Sequence, residues 1–415
     1  MDKRNILIIL NHQPMIPPFM ITAITCAKDR YEEVYYINTK TPNNYKIFAA
    51  NNNVHFLSPS KNKRLVGVLL SVFRLFVPSV FRDVILCIKE KGLKISSIKP
   101  FIVEQAAYNC LFPIAKRLIT KKENKEKEIT VLSTWLADCA FATAALKRKY
   151  PSIKAISLAH SYEVLTIRNP FVPYMHVNFK HRYLDGIYFI SSVIRDMYFQ
   201  GVGQLPKYYI DKTHVCYLGS YKDHEVLNQF DSDVFNICTC SRVIPLKRLD
   251  LLLDALKDWS AGKVKWTHLG DGPLLNDLQQ KAKQISENNP YVEIDFIGRV
   301  PNSQVKAYYA FKPVDVFVNL SEIEGLPISI MEAISYGIPV IATDVGGTKE
   351  IVTSEVGILL KSTIDANTVR EALLSFYHVP TEEKQNLRNS AYQAWQNNFD
   401  ASKNLQHFFD MVMVK

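Results

Sequence analysis

The chain has 415 residues, 47% of them hydrophobic and 22% charged, which is ordinary for a globular protein. This length exceeds the size at which one hydrophobic core stops growing, so two domains are expected. No uncharged apolar run reaches about 18 residues, so no membrane-spanning helix is predicted. The seven cysteines lack metal-binding spacing, which favours a reducing, cytoplasmic compartment and predicts no metal site.

Charge is distributed unevenly along the chain. Residues 1–210 contain 30 Lys and Arg against 14 Asp and Glu, whereas residues 211–415 contain 20 against 26. A basic first half indicates an anionic partner, either a membrane surface or a phosphate-bearing acceptor. A solvated basic face with no partner is the alternative, and no nucleic-acid partner is expected.

Short apolar runs alternate with helical stretches through the first half. The run at 5–10 is predicted to be a first buried strand rather than a signal peptide. Further strands are predicted at 34–37, 129–133, 155–159 and 186–190. Runs of this kind, bounded by polar turns and separated by helices, are typical of a parallel sheet covered on both faces.

The segment 61–122 is long, helical, basic and strongly apolar. One interpretation is an amphipathic element that lies peripherally on a membrane. The other is a pair of helices that pack on the sheet with Lys and Arg directed outward. The sequence leaves both open.

The second half repeats the alternation after a linker predicted near 202–222. Its strands are predicted at 235–241, 264–269, 292–297, 314–319, 339–342 and 357–360. Helices separate these strands, and two more helices near 381–397 and 401–414 close the chain. The pattern predicts a second doubly wound domain.

The densest chemical signal is the stretch SEIEGLPISIMEAISYG at 321–337. It follows a predicted buried strand, and its proline suits the first turn of a helix. Glu324 then lies on the loop before this helix and Glu332 on its second turn. Both carboxylates are expected at the carboxyl end of a strand, where open α/β sheets bind ligands. The alternative is an acidic helix start at the surface.

The start of the same helix also predicts an anion site. The free backbone N–H groups of the stretch Gly325, Leu326, Pro327 and Ile328 are expected to point toward the crevice, with the helix dipole behind them. Arg242 follows the strand at 235–241, and Lys247 follows five residues later. Two cations on adjacent loop positions can clamp a diphosphate, although ordinary solvated charges are the alternative.

Glycines follow two further strands of this half. Gly270 and Gly272 in HLGDGPL allow a tight turn with close backbone approach. Gly298 ends the strand in DFIGRV, and the backbone after it, at Arg299 and Val300, could hold the edge of a nucleobase. Each of these motifs is weak on its own.

In chain order, R-x4-K, LGDGPL, FIGRV, SEIEGLPISIMEA and GIPVIATDVGGTKEIV resemble the C-terminal domain of retaining family 4 glycosyltransferases. The resemblance covers residues 215–360. It implies a GT-B fold, which is an α/β architecture of two Rossmann-like domains with parallel sheets facing across a cleft. An acceptor-binding domain is then expected at 1–213 and a nucleotide-sugar-binding domain at 214–396. The helix at 397–415 is expected to pack back on the first domain.

The resemblance also implies roles for the site residues. Glu324 would contact the transferred hexose, and Glu332 the ribose of the nucleotide. Arg242 and Lys247 would bind the donor diphosphate and stabilise charge on the departing nucleotide. The donor, linked to UDP or GDP, is a co-substrate, and neither a metal nor another cofactor is expected.

The first half resembles the family less closely. Its best match is SLAHSYEVLTIRNP at 157–170, which resembles a segment of bacterial polysaccharide glycosyltransferases. His160 would then lie near the reacting sugar, although a hydrogen-bonded structural histidine is the alternative. The first loop, NHQPMIPPF at 11–19, lacks the glycines of relatives, which leaves the donor contacts of this domain unassigned.

The sequence therefore predicts a retaining hexosyltransferase in the cytoplasm or at the inner face of the plasma membrane. It would transfer a hexose to a lipid-linked or polysaccharide acceptor in the synthesis of capsule, exopolysaccharide or lipopolysaccharide. Two alternatives remain open. One is a non-catalytic GT-B partner protein, and the other is a nucleotide-sugar 2-epimerase.

Overall fold

A computed structural model describes residues 5–48, 50–74, 81, 85, 95–161, 164, 176–226 and 233–413. The chain divides into two compact units. The first comprises Met1–Cys216 with Leu405–Lys415, and the second comprises Tyr217–Asn404. Each unit contains one sheet whose paired strands are all parallel, which confirms the predicted α/β class with two doubly wound domains.

The sheet of the first unit has seven strands in the order β3-β2-β1-β4-β5-β6-β7. They are β1 Asn5–Asn11, β2 Glu33–Asn38, β3 Val54–Leu57, β4 Glu128–Ser133, β5 Lys154–Ala159, β6 Gly186–Phe189 and β7 Thr213–Val215. The central strand β1 is a continuous apolar run that is buried from its second residue onward, as expected where helices cover both faces. Strand order reverses between β1 and β4, so ligands are expected at the carboxyl ends of those two strands.

The edge strands β3 and β7 lie outside the predicted set. Both are short and mix polar with apolar residues, so neither has the continuous apolar run of a central strand. The linker predicted near 202–222 contains the boundary between the units, at Cys216 and Tyr217. Its first part is not a linker, because it holds β7 and the short helix Lys207–Ile210.

The described helices of the first unit lie between its strands in the sequence. They are Pro18–Ala27, Lys61–Arg74, Ile95–Ile119, Ala140–Lys149, Val177–Tyr183, Ser192–Val202 and Lys207–Ile210. In Ile95–Ile119, Ala107, Leu111 and Ala115 are fully buried in one cluster with the side chains of β1. This helix therefore packs on the sheet, as one interpretation of the segment 61–122 predicted.

The helix Lys61–Arg74 behaves differently, because most of its large apolar side chains are exposed. None of the helices in the described part of the chain has both the length and the apolar character that crossing a bilayer requires.

The sheet of the second unit has six strands in the order β10-β9-β8-β11-β12-β13. They are β8 Val234–Cys240, β9 Lys263–Leu269, β10 Val292–Gly298, β11 Val316–Asn319, β12 Val340–Thr343 and β13 Gly357–Leu360. Each lies within a few residues of its predicted position. The order reverses between β8 and β11, which pair in parallel, so their carboxyl ends form the switch point of this sheet.

Helices of the second unit follow the predicted pattern closely. They are Leu249–Lys257, Leu275–Asn288, Asn302–Phe311, Ile328–Ser335, Thr348–Ile351, Ala366–Tyr377 and Thr381–Ala394. In Leu249–Lys257 the leucines at 249, 252, 253 and 256 are buried, which is the spacing of one helix face against a core. Ala366–Tyr377 begins where the Asp365 carboxylate accepts a hydrogen bond from the Thr368 amide.

The chain closes with the helix Ala401–Met413, which follows a π turn at Trp395–Phe399. From Leu405 onward this helix belongs to the first unit. Phe409 packs edge to face on Tyr31 at a ring-centroid distance of 5.9 Å, and Asp410 pairs with Arg30 at 3.2 Å.

Candidate functional site

The switch point of the second sheet brings two of the predicted site residues into direct contact. Lys247 lies on the loop after β8, at the end of a short 3-10 turn. Glu324 lies on the loop after β11, and its Oε1 accepts a hydrogen bond from Lys247 Nζ. The two side chains are only 19% and 12% exposed, so water screens this ion pair less than it would a surface pair.

Further donors hold the Glu324 carboxylate in place. Ser321 Oγ donates to Oε1 at 2.7 Å, and Asn319 Nδ2 lies 3.4 Å from the same oxygen. No hydrogen bond from the described residues reaches Oε2. The carboxylate is thus fixed through one oxygen, while the other remains available to accept a hydrogen bond from a hydroxyl.

Arg248 is a site residue that sequence reasoning missed. Its guanidinium donates to the carbonyls of Leu320 at 2.6 Å, Ser321 at 3.1 Å and Ser362 at 3.0 Å. These bonds tie the loop that carries Glu324 to the loop that carries Lys247. The sequence could not indicate this role, because the side chain is directed by a backbone φ of +47° at Arg248, and an arginine beside a lysine does not predict that φ.

Arg242 lies beside an open pocket of about 500 Å³ at the same edge of the sheet. The pocket gathers five of the predicted residues: Arg242, Gly270, Gly272, Arg299 and Val300. The arginine at 242 is exposed, and its guanidinium forms no ion pair with any residue that the structure describes. A pocket of this size, with a cation at its wall, can hold a nucleotide-sized anion.

Gly270 and Gly272 shape this pocket by letting two loops touch. A Cβ on Gly270 would lie 1.8 Å from the Ser241 carbonyl oxygen, and one on Gly272 would lie 2.3 Å from that of Val243. The predicted close backbone approach is therefore present, but the backbone that approaches is the loop carrying Arg242. These glycines position the arginine.

Gly298 differs from these two glycines. Its φ is +80°, and a Cβ built there would meet nothing within 4 Å. Its carbonyl accepts a hydrogen bond of 2.9 Å from the Gly270 amide, which joins the ends of β9 and β10 at the pocket.

Glu332 is nearly buried, with 7% of its surface exposed, on the helix Ile328–Ser335. Its Oε1 accepts a hydrogen bond of 2.8 Å from Asn302 Nδ2. Burial raises the pKa of this carboxyl, which the Asn302 hydrogen bond and the nearby Lys306 partly offset. Asn302, at the first turn of its own helix, is a second contact that the sequence did not indicate.

The predicted anion site at the start of this helix needs one correction. Pro327 has no backbone N–H, so it cannot donate to a phosphate. The helical hydrogen bonds begin with Ile330 and Met331, both donating to the Pro327 carbonyl. The amides of Ile328 and Ser329 precede them and are the first-turn donors of this helix. Leu326 is buried, whereas Ile328 is 51% exposed.

His160, which follows β5, belongs to the first unit. Its ring lies between Phe19 and Trp135, with centroid distances of 4.7 and 4.5 Å, and its Nε2 is 3.1 Å from the Thr134 carbonyl. Burial lowers its pKa to about 4, so the imidazole is neutral at neutral pH. The adjoining residues 162, 163 and 165–170 of the predicted motif lie outside the described residues.

A family model for glycosyl transferases group 1 matches residues 222–394, which contain Arg242, Lys247, Glu324 and Glu332. The chain is 32% identical over 151 residues to the putative teichuronic acid biosynthesis glycosyltransferase TuaC of Bacillus subtilis, covering 36% of this chain and 35% of that protein. It is 27% identical over 177 residues to the alpha-monoglucosyldiacylglycerol synthase of Streptococcus pneumoniae, covering 42% and 38%. The chain thus spans little more than a third of the length of either relative.

The fold is similar over almost the whole chain to that of Anabaena HepE, solved in complex with UDP. The TM-score is 0.65 at 16% identity, and the match covers 98% of this chain and 99% of the other. Two Rossmann-like units with parallel sheets of seven and six strands form a GT-B fold. Within this fold, residues 222–394 are a domain of the glycosyl transferases group 1 family.

Proposed function

We propose that the chain is a retaining glycosyltransferase that moves a hexose from a UDP- or GDP-linked sugar to a lipid-linked or polysaccharide acceptor in surface-polysaccharide synthesis. The observation that carries the proposal is the Lys247–Glu324 pair at the switch point of the second sheet. A cation and a carboxylate side by side can bind the two halves of a nucleotide sugar, its diphosphate and its hexose. The similarity to TuaC, a putative glycosyltransferase of teichuronic acid biosynthesis, and to HepE, which was solved with UDP, supports this proposal.

The chemistry follows from the charges at this edge of the sheet. Breaking the bond between the sugar and the diphosphate leaves negative charge on the departing nucleotide. Lys247, and Arg242 at the pocket wall, supply positive charge for that group, which lowers the barrier. The proposal requires no metal, because these two cations and the first-turn amides of Ile328 and Ser329 serve the diphosphate.

Glu324 and Glu332 bind different parts of the donor. Glu324 presents Oε2 to a hexose hydroxyl while its Oε1 stays bound to Lys247. Glu332, fixed by Asn302, accepts hydrogen bonds from the ribose. The incoming hydroxyl attacks from the face that the diphosphate leaves, so the anomeric configuration is retained, and a departing phosphate oxygen takes its proton.

Calorimetric titration with UDP and with GDP tests the donor site. We expect micromolar binding of one nucleotide, weakened at least tenfold by Arg242→Ala and by Glu332→Ala, since each change removes a charged hydrogen-bond partner worth about 1.5–3 kcal/mol. Lys283→Ala and Glu355→Ala are matched controls, because both residues are exposed charges in the same unit. Binding that survives both site changes, or that the controls weaken equally, contradicts the proposed site.

Incubation with the matching nucleotide sugar separates transfer from the alternatives. A transferase releases the nucleotide when an acceptor, or slowly when water, takes the sugar. An epimerase returns a changed sugar without needing an acceptor, and a non-catalytic partner returns the donor intact.

A further inference from the structure

The helix Lys61–Arg74 meets its neighbour Ile95–Ile119 through small residues. Gly67 and Ser71 are the buried positions on this side. Asn109 Nδ2 donates to the Gly67 carbonyl at 2.9 Å, and a Cβ on Gly67 would lie 3.1 Å from Cys110 Sγ. The two helices therefore approach closely along this seam of small residues.

Those large apolar side chains face solvent. They are Leu65, Val66, Val68, Leu69, Leu70, Val72 and Phe73, and each is between 42% and 72% exposed. Monomeric soluble proteins rarely expose so many adjacent apolar side chains unless the surface contacts another molecule or a membrane. We call this set the exposed helix face.

An apolar groove of about 980 Å³ runs beside this helix. Its apolar lining comes from both helices and from the end of β3, and includes Leu57, Val66, Leu70, Phe112 and Leu118. The volume lies at the upper end of the range for small-molecule pockets. Val66 and Leu70 belong both to the groove and to the exposed helix face, so the two surfaces are continuous.

Cations line this groove, and none of the described residues in its lining is Asp or Glu. The three cations of the lining are Lys63, Arg117 and Lys121. Lys121 pairs with Glu123 at 3.1 Å, whereas Lys63 and Arg117 form no ion pair with residues in the described part of the chain. An apolar channel with uncompensated positive charge is complementary to an amphiphile that has an apolar chain and an anionic head.

We propose that this groove binds one acyl chain of an anionic phospholipid while the exposed helix face lies in the surface of the bilayer. The lipid phosphate is held by Lys63 and Arg117, and the chain lies between Leu70 and Phe112. A bilayer lipid fits better than a soluble lipid carrier, because the groove opens onto a surface that is itself suited to a membrane interface. This membrane site is separate from the nucleotide site of the second unit.

Vesicle flotation of the full chain tests the charge requirement. We expect binding to vesicles of phosphatidylcholine with phosphatidylglycerol, and little binding to phosphatidylcholine alone. Lys63→Glu and Arg117→Glu should each weaken binding by about fivefold or more, and added salt should reduce it. Lys149→Glu, another exposed lysine of the same unit, should leave it unchanged. Equal binding to both vesicles, or equal loss in the control, overturns the proposal.

Photo-crosslinking tests whether a chain enters the groove. The probe is phosphatidylglycerol with a photoreactive group near the end of one acyl chain, incorporated in the vesicles. Groove occupancy predicts labelling of Phe112 and Leu118, which Leu70→Gln should reduce severalfold. Labelling confined to Leu65, Leu69 and Phe73 overturns it, as does labelling of the groove by a prenyl phosphate but not by phosphatidylglycerol.

Nucleotide titration of the same variants keeps the two proposals distinct. Unchanged UDP or GDP binding by Lys63→Glu, Arg117→Glu and Leu70→Gln shows that these proteins are folded, so their loss of lipid binding supports the groove. If the unchanged chain binds vesicles but neither nucleotide, the proposed function fails and the lipid site stands.

Discussion

Gly346, on the loop after β12, and Gly298, at the end of β10, form a matched pair for testing how the loop that carries Glu324 is held. Both adopt a positive φ, +56° and +80° respectively. A Cβ on Gly346 would lie 2.0 Å from the Glu324 carbonyl oxygen and 2.8 Å from its carbonyl carbon, whereas a Cβ on Gly298 would meet nothing within 4 Å. Alanine therefore strains the backbone at both positions but displaces Glu324 only from position 346.

The expected magnitudes follow from these two effects. Positive φ costs alanine about 1–2 kcal/mol at either position. At Gly346, moving the Glu324 backbone out of the way adds about 1–3 kcal/mol. Gly346→Ala should then lower the free energy of unfolding by about 2–5 kcal/mol, and Gly298→Ala by about 1–2 kcal/mol.

Urea unfolding followed by tryptophan fluorescence measures both changes. Trp259, Trp266 and Trp395 lie in the second unit, so the signal reports mainly on that unit. Gly346→Ala should also raise KM for the nucleotide sugar more than it weakens binding of the free nucleotide, because Glu324 is assigned to the hexose. Equal destabilisation by the two alanines, or no selective effect on the sugar, would refute this reasoning.

Three further changes probe the site. Arg248→Ala removes three hydrogen bonds to carbonyls. We expect the free energy of unfolding in urea to fall by about 2–3 kcal/mol and the KM for the donor to rise. An unchanged KM would contradict a positioning role for Arg248. Because burial raises the pKa of Glu332, acidification should protonate it, and weaken nucleotide binding, at a pH above the usual Glu range; calorimetry across pH measures this, and Glu332→Gln should show no such dependence. Since the pKa of His160 is lowered to about 4, its protonation should not shape the activity profile above about pH 5, and His160→Gln should keep the shape of that profile.

The central strands could be predicted because each of them is a run of adjacent apolar residues. β1 and β8 are continuous apolar runs, and strands covered on both faces need nothing else to be recognised. The edge strands β3 and β7 could not be found in this way. Their pairing depends on the neighbouring strand, and a three-residue segment such as Thr213–Val215 has too little pattern of its own.

The site could be predicted as far as its position on the sheet. Arg242 follows β8 and Glu324 follows β11, and parallel strands that meet at a switch point bring such residues to one edge. The particular partners could not be predicted. The Asn302–Glu332 hydrogen bond and the carbonyl contacts of Arg248 join segments that are distant in sequence, and only the packed loops decide them.

The structure of the segment 61–122 could also be predicted only in part. Its composition fits both a packed helix and a helix at a membrane surface, and the two helices of this segment differ in burial. Ile95–Ile119 is buried against the sheet, whereas Lys61–Arg74 uses Gly67 for its helix contact and leaves Leu69 and Phe73 exposed. The close contact of Gly67 with the second helix depends on small residues. The apolar pattern of the segment therefore does not predict which helix is buried and which is exposed.

The most direct test of the central claim is the anomeric outcome of donor hydrolysis. Water can replace the acceptor in a slow reaction, so the unknown acceptor is not needed. The unchanged chain is incubated with the nucleotide sugar whose nucleotide binds in titration, and the released hexose is followed by proton NMR before its anomers equilibrate. An α-linked donor should yield the α-hexose first, and Lys247→Ala should abolish the release while Lys283→Ala does not. Release of the β-hexose first, or release that survives Lys247→Ala, would contradict a retaining transferase built on this site.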